Sequence, residues 1–292
     1  MKTSISKLQW SVLGILFVST FFIWSIAFSL ERDDSLLVAF LDVGQGDAIF
    51  IQAPNGTQLL IDGGPNKTIL RELSEILPYH DRSIDVVMAT HPDKDHIGGL
   101  VSVLERYEVD MVIEPGVRAD TNVYRSFQND IESFGIEKVI AKRGMLLVLD
   151  KKNGVYVHIL FPNQDVEEWD SNDASIVAKL IYGDTSFLLT GDSPKGIEKY
   201  ITFLDGSYLD SDVLKLGHHG SKTSSSIEFL RAASPEYSII SAGKDNRYGH
   251  PHSEVMENIK MINSIPLATY DEGTIRITSD GKEVSLQSTT SQ

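Results

Sequence analysis

"ATHPDKDHIGGL", residues 89–100, places His91, Asp93, Asp95 and His96 within six positions. All four side chains can ligate a metal, and the whole chain has only eight histidines. A tight loop leaving a strand can aim alternate residues at one centre, and Gly98 and Gly99 let backbones approach just after it. The competing reading is a solvated turn whose aspartates cap the next helix; Asp95 fits it, but a cluster of four candidate ligands favours a metal site. The chain has no cysteine. That excludes thiolate ligands, disulfides and a cysteine nucleophile, so a metal must sit among His, Asp, Glu and water.

Outward from this loop, "SIDVVMAT" reads as a buried strand ending at His91, and "IGGLVSVLERY" continues as a helix. Upstream, "LLVAFLDV", "DAIFIQA" and "TQLLIDGG" read as strands broken by Gly, Pro and Asn, and "NKTILRELSEIL" has helical spacing. Downstream, strands "SIVAKLIYG", "SFLLTGD", "DVLKLGHHG" and "YSIISAG" alternate with helical stretches near 194–204, 224–232 and 253–261. The alternation predicts a layered α/β domain. Asp62, His91–His96, Asp192 and His218–His219 each fall at the C-terminal end of an apolar strand, where open α/β sheets build their sites. One shared active site is the expectation.

The N-terminus is different in kind. Residues 8–30, "LQWSVLGILFVSTFFIWSIAFSL", carry no charge, and a membrane-spanning helix needs about 20 such residues. Lys2 and Lys7 precede the run and "ERDD" follows it, which by the positive-inside rule leaves residues 1–7 in the cytoplasm and the rest outside. A cleaved signal peptide, cut near Ala27-Phe28-Ser29, is the alternative; either way the domain is exported. The expected organisation is a cytoplasmic stretch 1–7, an anchor over 8–30, one hydrolase domain over 31–285 and a polar tail over 286–292. Composition, 41% hydrophobic and 23% charged, is that of a folded protein. The net charge of −15 opposes broad capture of nucleic acid. Its distribution is uneven: between Asp212 and His252 five basic residues meet four acidic ones.

"THPDKDHIGG" resembles the H-x-[HD]-x-D-H signature of the metallo-β-lactamase fold. With "FLDVGQGDAIFI", "LLIDGG", "NDASIVAKL", "FLLTGD", "LKLGHHGSKTSSS" and "YGHPH" in that order, the chain is similar to the metallo-β-lactamase domain of ComEC-type DNA-internalisation (competence) proteins. The resemblance covers nearly everything after the N-terminal run. It implies a four-layer αββα sandwich, here expected behind one N-terminal transmembrane helix, and two divalent metal ions, Mn²⁺ or Zn²⁺. It implies that His91 and Asp93 bind one metal, that Asp95 and His96 bind the other with His218, and that Asp192 bridges them. The family's third histidine, due before the "TGD" strand, is missing; Asn172 and Ser175 in "SNDAS" stand in that region. Aspartate at Asp93 adds charge and hardness, which moves preference toward Mn²⁺.

Beyond the ligands, His218 and His219 are adjacent and should point differently, one to metal and the other to substrate. His219, His250 and Asp95 are the expected catalytic groups. Ser221, Lys222, Thr223 and Ser224, with His252, are expected to take a phosphate at a helix start. Asp42, Asp47 and Asp62 are expected beneath the site or behind its ligands, and His80 and His158 outside it.

Two metals bridged by a carboxylate activate a water and polarise the scissile centre, so hydrolysis is the expected reaction. The leading expectation is a phosphodiesterase or nuclease acting on DNA outside the cytoplasmic membrane, with a DNA-uptake channel as a partner by analogy. A small-molecule hydrolase for a lactone, thioester or phosphoester is one alternative. A non-catalytic accessory in DNA uptake is the other.

Overall fold

The structure, a computed structural model, describes residues 7–29 and 35–287, with side chains described over 9–25 and 35–287. The chain divides into two compact units at Asp34/Ser35. In the first, helix α1 spans Lys7–Ser29, and Trp10, Phe17, Phe21 and Trp24 are exposed on it. Among the described residues no helix is long and apolar enough to cross a membrane. The transmembrane helix expected over 8–30 is therefore not supported. The helix α1 has 23 residues, but the side chains at both ends of the apolar run lie outside the described ones, so the uncharged stretch that is described is shorter than the roughly 20 residues a span needs.

The second unit begins with β1 (Leu36–Phe40), β2 (Ile49–Gln52), β3 (Gln58–Ile61), α2 (Thr68–Ile76), β4 (Ser83–Met88), α3 (Lys94–Leu104), β5 (Glu108–Glu114), α4 (Asn122–Phe134) and β6 (Glu137–Ile140). It continues with β7 (Leu146–Asp150), β8 (Val155–Phe161), β9 (Val177–Tyr182), β10 (Thr185–Leu189), α5 (Lys195–Asp205), β11 (Val213–Lys215), α6 (Ile227–Ala233), β12 (Tyr237–Ile240), α7 (Ser253–Met261) and β13 (Ile265–Ala268). α8 (Thr269–Glu272), β14 (Ile275–Ser279) and β15 (Val284–Gln287) close it. β15 reaches two residues into the stretch read as a polar tail, and 288–292 lie outside the described residues.

Two sheets form, in the order β15-β14-β1-β2-β3-β4-β5-β6 and β13-β12-β11-β10-β9-β8-β7. Each is antiparallel in its first strands and becomes parallel where helical crossovers begin, from β3 to β6 and from β10 to β13. Strand alternation makes the layers. On β1, Leu36, Val38 and Phe40 turn into the core between the sheets, where they meet Val157, Leu180 and Phe187. Ala39 and Leu41 turn the other way, onto Ile97, Leu100 and Phe127 of α3 and α4. The second sheet is covered likewise by Ile201, Phe229 and Ile259 from α5, α6 and α7. The result is the expected αββα sandwich. Truncating an inter-sheet side chain such as Phe40, fully buried, should cost about 3–5 kcal/mol.

This architecture positions chemistry at one rim. The parallel strands β3, β4, β10 and β11 end at Asp62, His91, Asp192 and His218, and their C-terminal ends lie on the same edge of the two sheets, as the contacts below establish.

Candidate metal centre

The loop before α3 is held open for its carboxylates. Asp93 occupies the position just before the helix in an extended conformation, yet its side chain caps no backbone N–H. It lies instead 3.9 Å from His91 Nε2, and the Ser171 hydroxyl also bonds it. The capping reading is thus excluded for Asp93. Two glycines let neighbouring loops close on this turn. A Cβ on Gly46, at φ +140°, would sit 2.1 Å from the Asp95 carbonyl oxygen, and one on Gly99 2.0 Å from that of Gly63. In the space so preserved, Asp47 N–H donates to Asp95 O at 3.2 Å and Gly63 N–H to His96 O at 2.7 Å.

Four rings converge on Asp192. His96 Nε2 lies 3.4 Å from its Oδ1; Nε2 of His219, His218 and His91 lie 3.4, 3.7 and 3.9 Å from its Oδ2. Asp95 Oδ2 is 3.6 Å from His219 Nε2. The Nε2 atoms of His91, His96 and His219 and Oδ1 of Asp192 are buried with no hydrogen-bond partner. Unpartnered buried groups of this kind are costly, and divalent cations accepting them would satisfy all four. The donor set, imidazole and carboxylate only, suits Zn²⁺ or Mn²⁺.

The atoms behind the rings explain their aim. Asp62 Oδ2 is 2.8 Å from His96 Nδ1 and accepts from the Thr90 hydroxyl at 2.6 Å, while its Oδ1 accepts from Thr90 N–H at 2.8 Å. The Thr90 hydroxyl lies 3.0 Å from His91 Nδ1. His219 Nδ1 faces Ser241 O at 2.9 Å and Asp47 Oδ1 at 3.2 Å. Asp47, His96, Asp192 and His219 all offer atoms within 4.8 Å of one another, but Asp47 belongs behind the centre. It is ion-paired with the buried Lys215 and reaches the rings through Nδ1, not Nε2. Lys215 also donates to Gly191 O at 3.1 Å.

Electrostatics divide the rings. Burial, reinforced by His96, pushes His91 down to about 3. Burial also works against the His219 imidazolium, but Asp192 and Asp47 outweigh it and hold the ring up at about 9. His96 is raised in the same sense, with Asp192 and Asp62 overcoming burial. Burial raises the Asp192 carboxyl, yet His219 and His96 keep it well below the usual carboxylate range.

The structure therefore brings together His91, Asp93, Asp95, His96, Asp192, His218 and His219, with Asp47 and Asp62 behind them. The adjacent histidines are mutually perpendicular, 74° between ring planes, because both adopt left-handed backbone, φ 49° and 56°. Such conformations cost of order 1–3 kcal/mol each and gather at functional sites. Both rings still reach Asp192, so the expected division, one to metal and one to substrate, is not what the geometry gives. His250 lies 5.6 Å from His218, centroid to centroid, and burial with His218 and His219 lowers it to about 4. Its neighbour His252 accepts from Lys222 N–H at 3.2 Å.

The other residues singled out in the sequence bond within their own loops, behind the centre or away from it. Ser224 is buried and donates to Ser193 O at 2.9 Å. Ser221 is buried and accepts from the Thr223 hydroxyl at 3.0 Å, which leaves Lys222 and Thr223 facing out. Asp42 accepts from Gly44 N–H at 3.2 Å and serves its own turn. Ser175 accepts from Asp192 N–H at 3.3 Å, and Asn172 accepts from Ser175 N–H through its carbonyl. His80 is exposed and His158 bonds Tyr208 at 2.9 Å, both away from the centre. Lys215, Thr90, Ser171 and Glu198 went unread in the sequence. A lone lysine within the apolar strand "DVLKLG" was the one available signal, since a lysine is almost never fully buried without a partner.

A family model described as the metallo-beta-lactamase superfamily matches residues 41–244. Among curated proteins, ComE operon protein 3 of Bacillus subtilis is 32% identical over 260 residues, covering 82% of this chain and 32% of that protein. Competence protein ComA of Neisseria gonorrhoeae is 30% identical over 232 residues, covering 78% and 30%. The chain thus spans about a third of the length of these relatives. Among solved structures, the metallo-beta-lactamase fold protein YhfI from Bacillus subtilis superposes with a TM-score of 0.51 at 13% identity, covering 80% of this chain and 95% of that one; that likeness concerns the fold.

Proposed function

The chain belongs to the metallo-beta-lactamase superfamily, a divalent-metal-binding fold, and from that premise we propose that it is a phosphodiesterase that cleaves DNA outside the cytoplasmic membrane. The observation that carries the hydrolase reading is the set of buried, unpartnered Nε2 atoms around Asp192. In this reading Asp95, His96 and His219 hold one ion, and His91, Asp93 and His218 hold the other, with Asp192 shared. His218 then fills the place of the histidine missing from "SNDAS", and His219 rather than His218 serves the His96 side. Bound divalent ions would polarise a phosphoryl oxygen and lower the pKa of a water. Three carboxylates in the set favour Mn²⁺ over Zn²⁺, although affinity order still favours zinc where it is available.

The chain's own residues supply the rest. His250, lowered to about 4 by burial and its histidine neighbours, is neutral at pH 7 and offers the substrate an uncharged hydrogen-bonding ring beside His218. In this reading Lys222, exposed near His252, binds a phosphate, while the Thr223 hydroxyl is turned to Ser221 and His218. DNA as substrate is favoured by similarity to a protein whose name records competence, and a channel partner belongs to the same proposal. The exported location rests on residues 8–30 read as a cleaved signal peptide. One observation favours a small ester or lactone instead, the net charge of −15. The test is incubation of the full chain with Mn²⁺ and single- or double-stranded DNA at low salt. Cleavage is expected; both substrates left intact would remove the nuclease reading.

A further inference from the structure

A cleft of about 580 Å³ opens beside the centre, and Asp95 is part of its wall. Its other walls include Pro65, Lys94, Arg247 and Tyr248. That volume suits a nucleotide-sized ligand. Tyr248 is 48% exposed, and hydrogen bonds fix the loop that carries it. The Asn246 side chain donates to Gly243 O at 3.0 Å and His250 O at 2.6 Å, and accepts from Tyr248 N–H at 3.2 Å and His250 N–H at 3.0 Å. Gln45 pins the same loop from the opposite side, accepting from Gly243 N–H at 3.1 Å. The loop is thus fixed before any ligand arrives, which lowers the ordering cost of binding.

The ring is also part of a series. His250 lies nearly parallel to it, 22° between planes and 5.6 Å between centroids. His250 in turn is 5.6 Å from His218, whose Nε2 faces Asp192 at 3.7 Å. Arg247 sits 4.8 Å over the Tyr248 ring and donates to its hydroxyl at 2.6 Å. Lys94 also lines the cleft and is exposed. On a chain of net charge −15, this aromatic cleft carries two cations, Lys94 and Arg247, against one carboxylate, Asp95. Aromatic platforms with neighbouring cations bind single-stranded nucleic acid, because every base has a face to stack and every linkage a charge to neutralise.

We propose that this cleft is a nucleotide subsite, in which the base adjoining the scissile linkage packs against Tyr248 while Arg247 and Lys94 hold the next phosphate. The inference rests on the phosphodiesterase reading and sharpens its substrate to single-stranded nucleic acid, since bases paired in a duplex cannot reach the ring.

The test is fluorescence anisotropy of the full chain in Mn²⁺ with two labelled phosphorothioate oligomers of equal length, an oligothymidylate and an abasic strand. The wild-type chain should prefer the oligothymidylate by roughly tenfold. Tyr248→Phe should keep the preference and Tyr248→Ala should erase it. Equal affinity of the wild type for both strands, or no binding of either, overturns the subsite, as does a preference that survives in Tyr248→Ala. Turnover of bis(p-nitrophenyl) phosphate, which has no base, reads the phosphodiesterase proposal by itself. Its absence would remove that reading, while the base preference still decides this one.

Discussion

On one flank of Asp192, His96 and His219 are backed by carboxylates: Asp62 lies 2.8 Å from His96 Nδ1 and Asp47 3.2 Å from His219 Nδ1. On the other flank the backing groups are hydroxyls, Thr90 at 3.0 Å from His91 and Thr223 at 3.1 Å from His218. Exposure follows the division in part, for His91 on the second flank is buried and Asp95 on the first is 34% exposed. His96 and His219 are buried, whereas the side chains of His218 and Asp93 are 27% and 45% exposed. A carboxylate behind a ring raises its basicity and fixes its tautomer; a hydroxyl does so less. The two flanks should therefore differ in affinity, with a tight, closed side at His96 and a looser side open to solvent at His218.

The largest effect should come from beneath the closed flank. Lys215 is fully buried and pairs with Asp47, so Lys215→Met strands a buried carboxylate. A loss of about 3–5 kcal/mol of stability is expected in urea unfolding; a loss under 1 kcal/mol would mean that Asp47 does not depend on it. Next, Asp62→Asn should weaken metal binding at the closed flank by about 10- to 100-fold in calorimetric titration. Thr223→Val, its counterpart on the open flank, should cost less than tenfold. Equal penalties for the two would break the comparison.

Proton occupancy sharpens it further. Metal must displace whatever proton the His219 ring holds. Burial opposes that proton, but Asp192 and Asp47 raise the folded value to about 9 from an ordinary 6.5. For a histidine raised on folding, the stabilisation is complete below about pH 6.5 and is lost as pH rises through 9. The melting temperature of the chelator-treated protein should therefore fall between those limits. Excess Mn²⁺, taking the proton's place, should flatten the fall. A midpoint that rises with pH in chelator would contradict the assignment.

Much of this centre was legible because its ligands sit in short motifs at strand ends. His91 to His96 span a single turn, Asp192 follows β10, and the two adjacent histidines follow β11. The partition between flanks was not legible. Which of His218 and His219 serves which side depends on two consecutive left-handed residues, and no spacing rule predicts those. Ser221 and Ser224 read as an anion site, yet residues distant in sequence close over that loop: Ser193 accepts from Ser224, and Glu198 accepts from the N–H groups of Ser225 and Ser226. Only the three-dimensional arrangement reveals that those hydroxyls turn inward. β5 to β8 and α4, spanning 108–161, went unread for another reason. They place no polar cluster at a strand end, so a reading led by the site passes over them, although Ile113 and Val157 help to fill the core between the sheets.

Asp192 is the side chain both flanks share, and the most direct measurement counts metal against it. The full chain and its Asp192→Asn variant would be titrated with Mn²⁺ by calorimetry, and the same samples assayed for DNA cleavage. Two equivalents per wild-type chain with separable affinities are predicted, together with loss of both binding steps and a fall in cleavage of roughly a thousandfold in the variant. A wild-type chain that binds one equivalent or none, or a variant that still cleaves at the wild-type rate, would contradict the account.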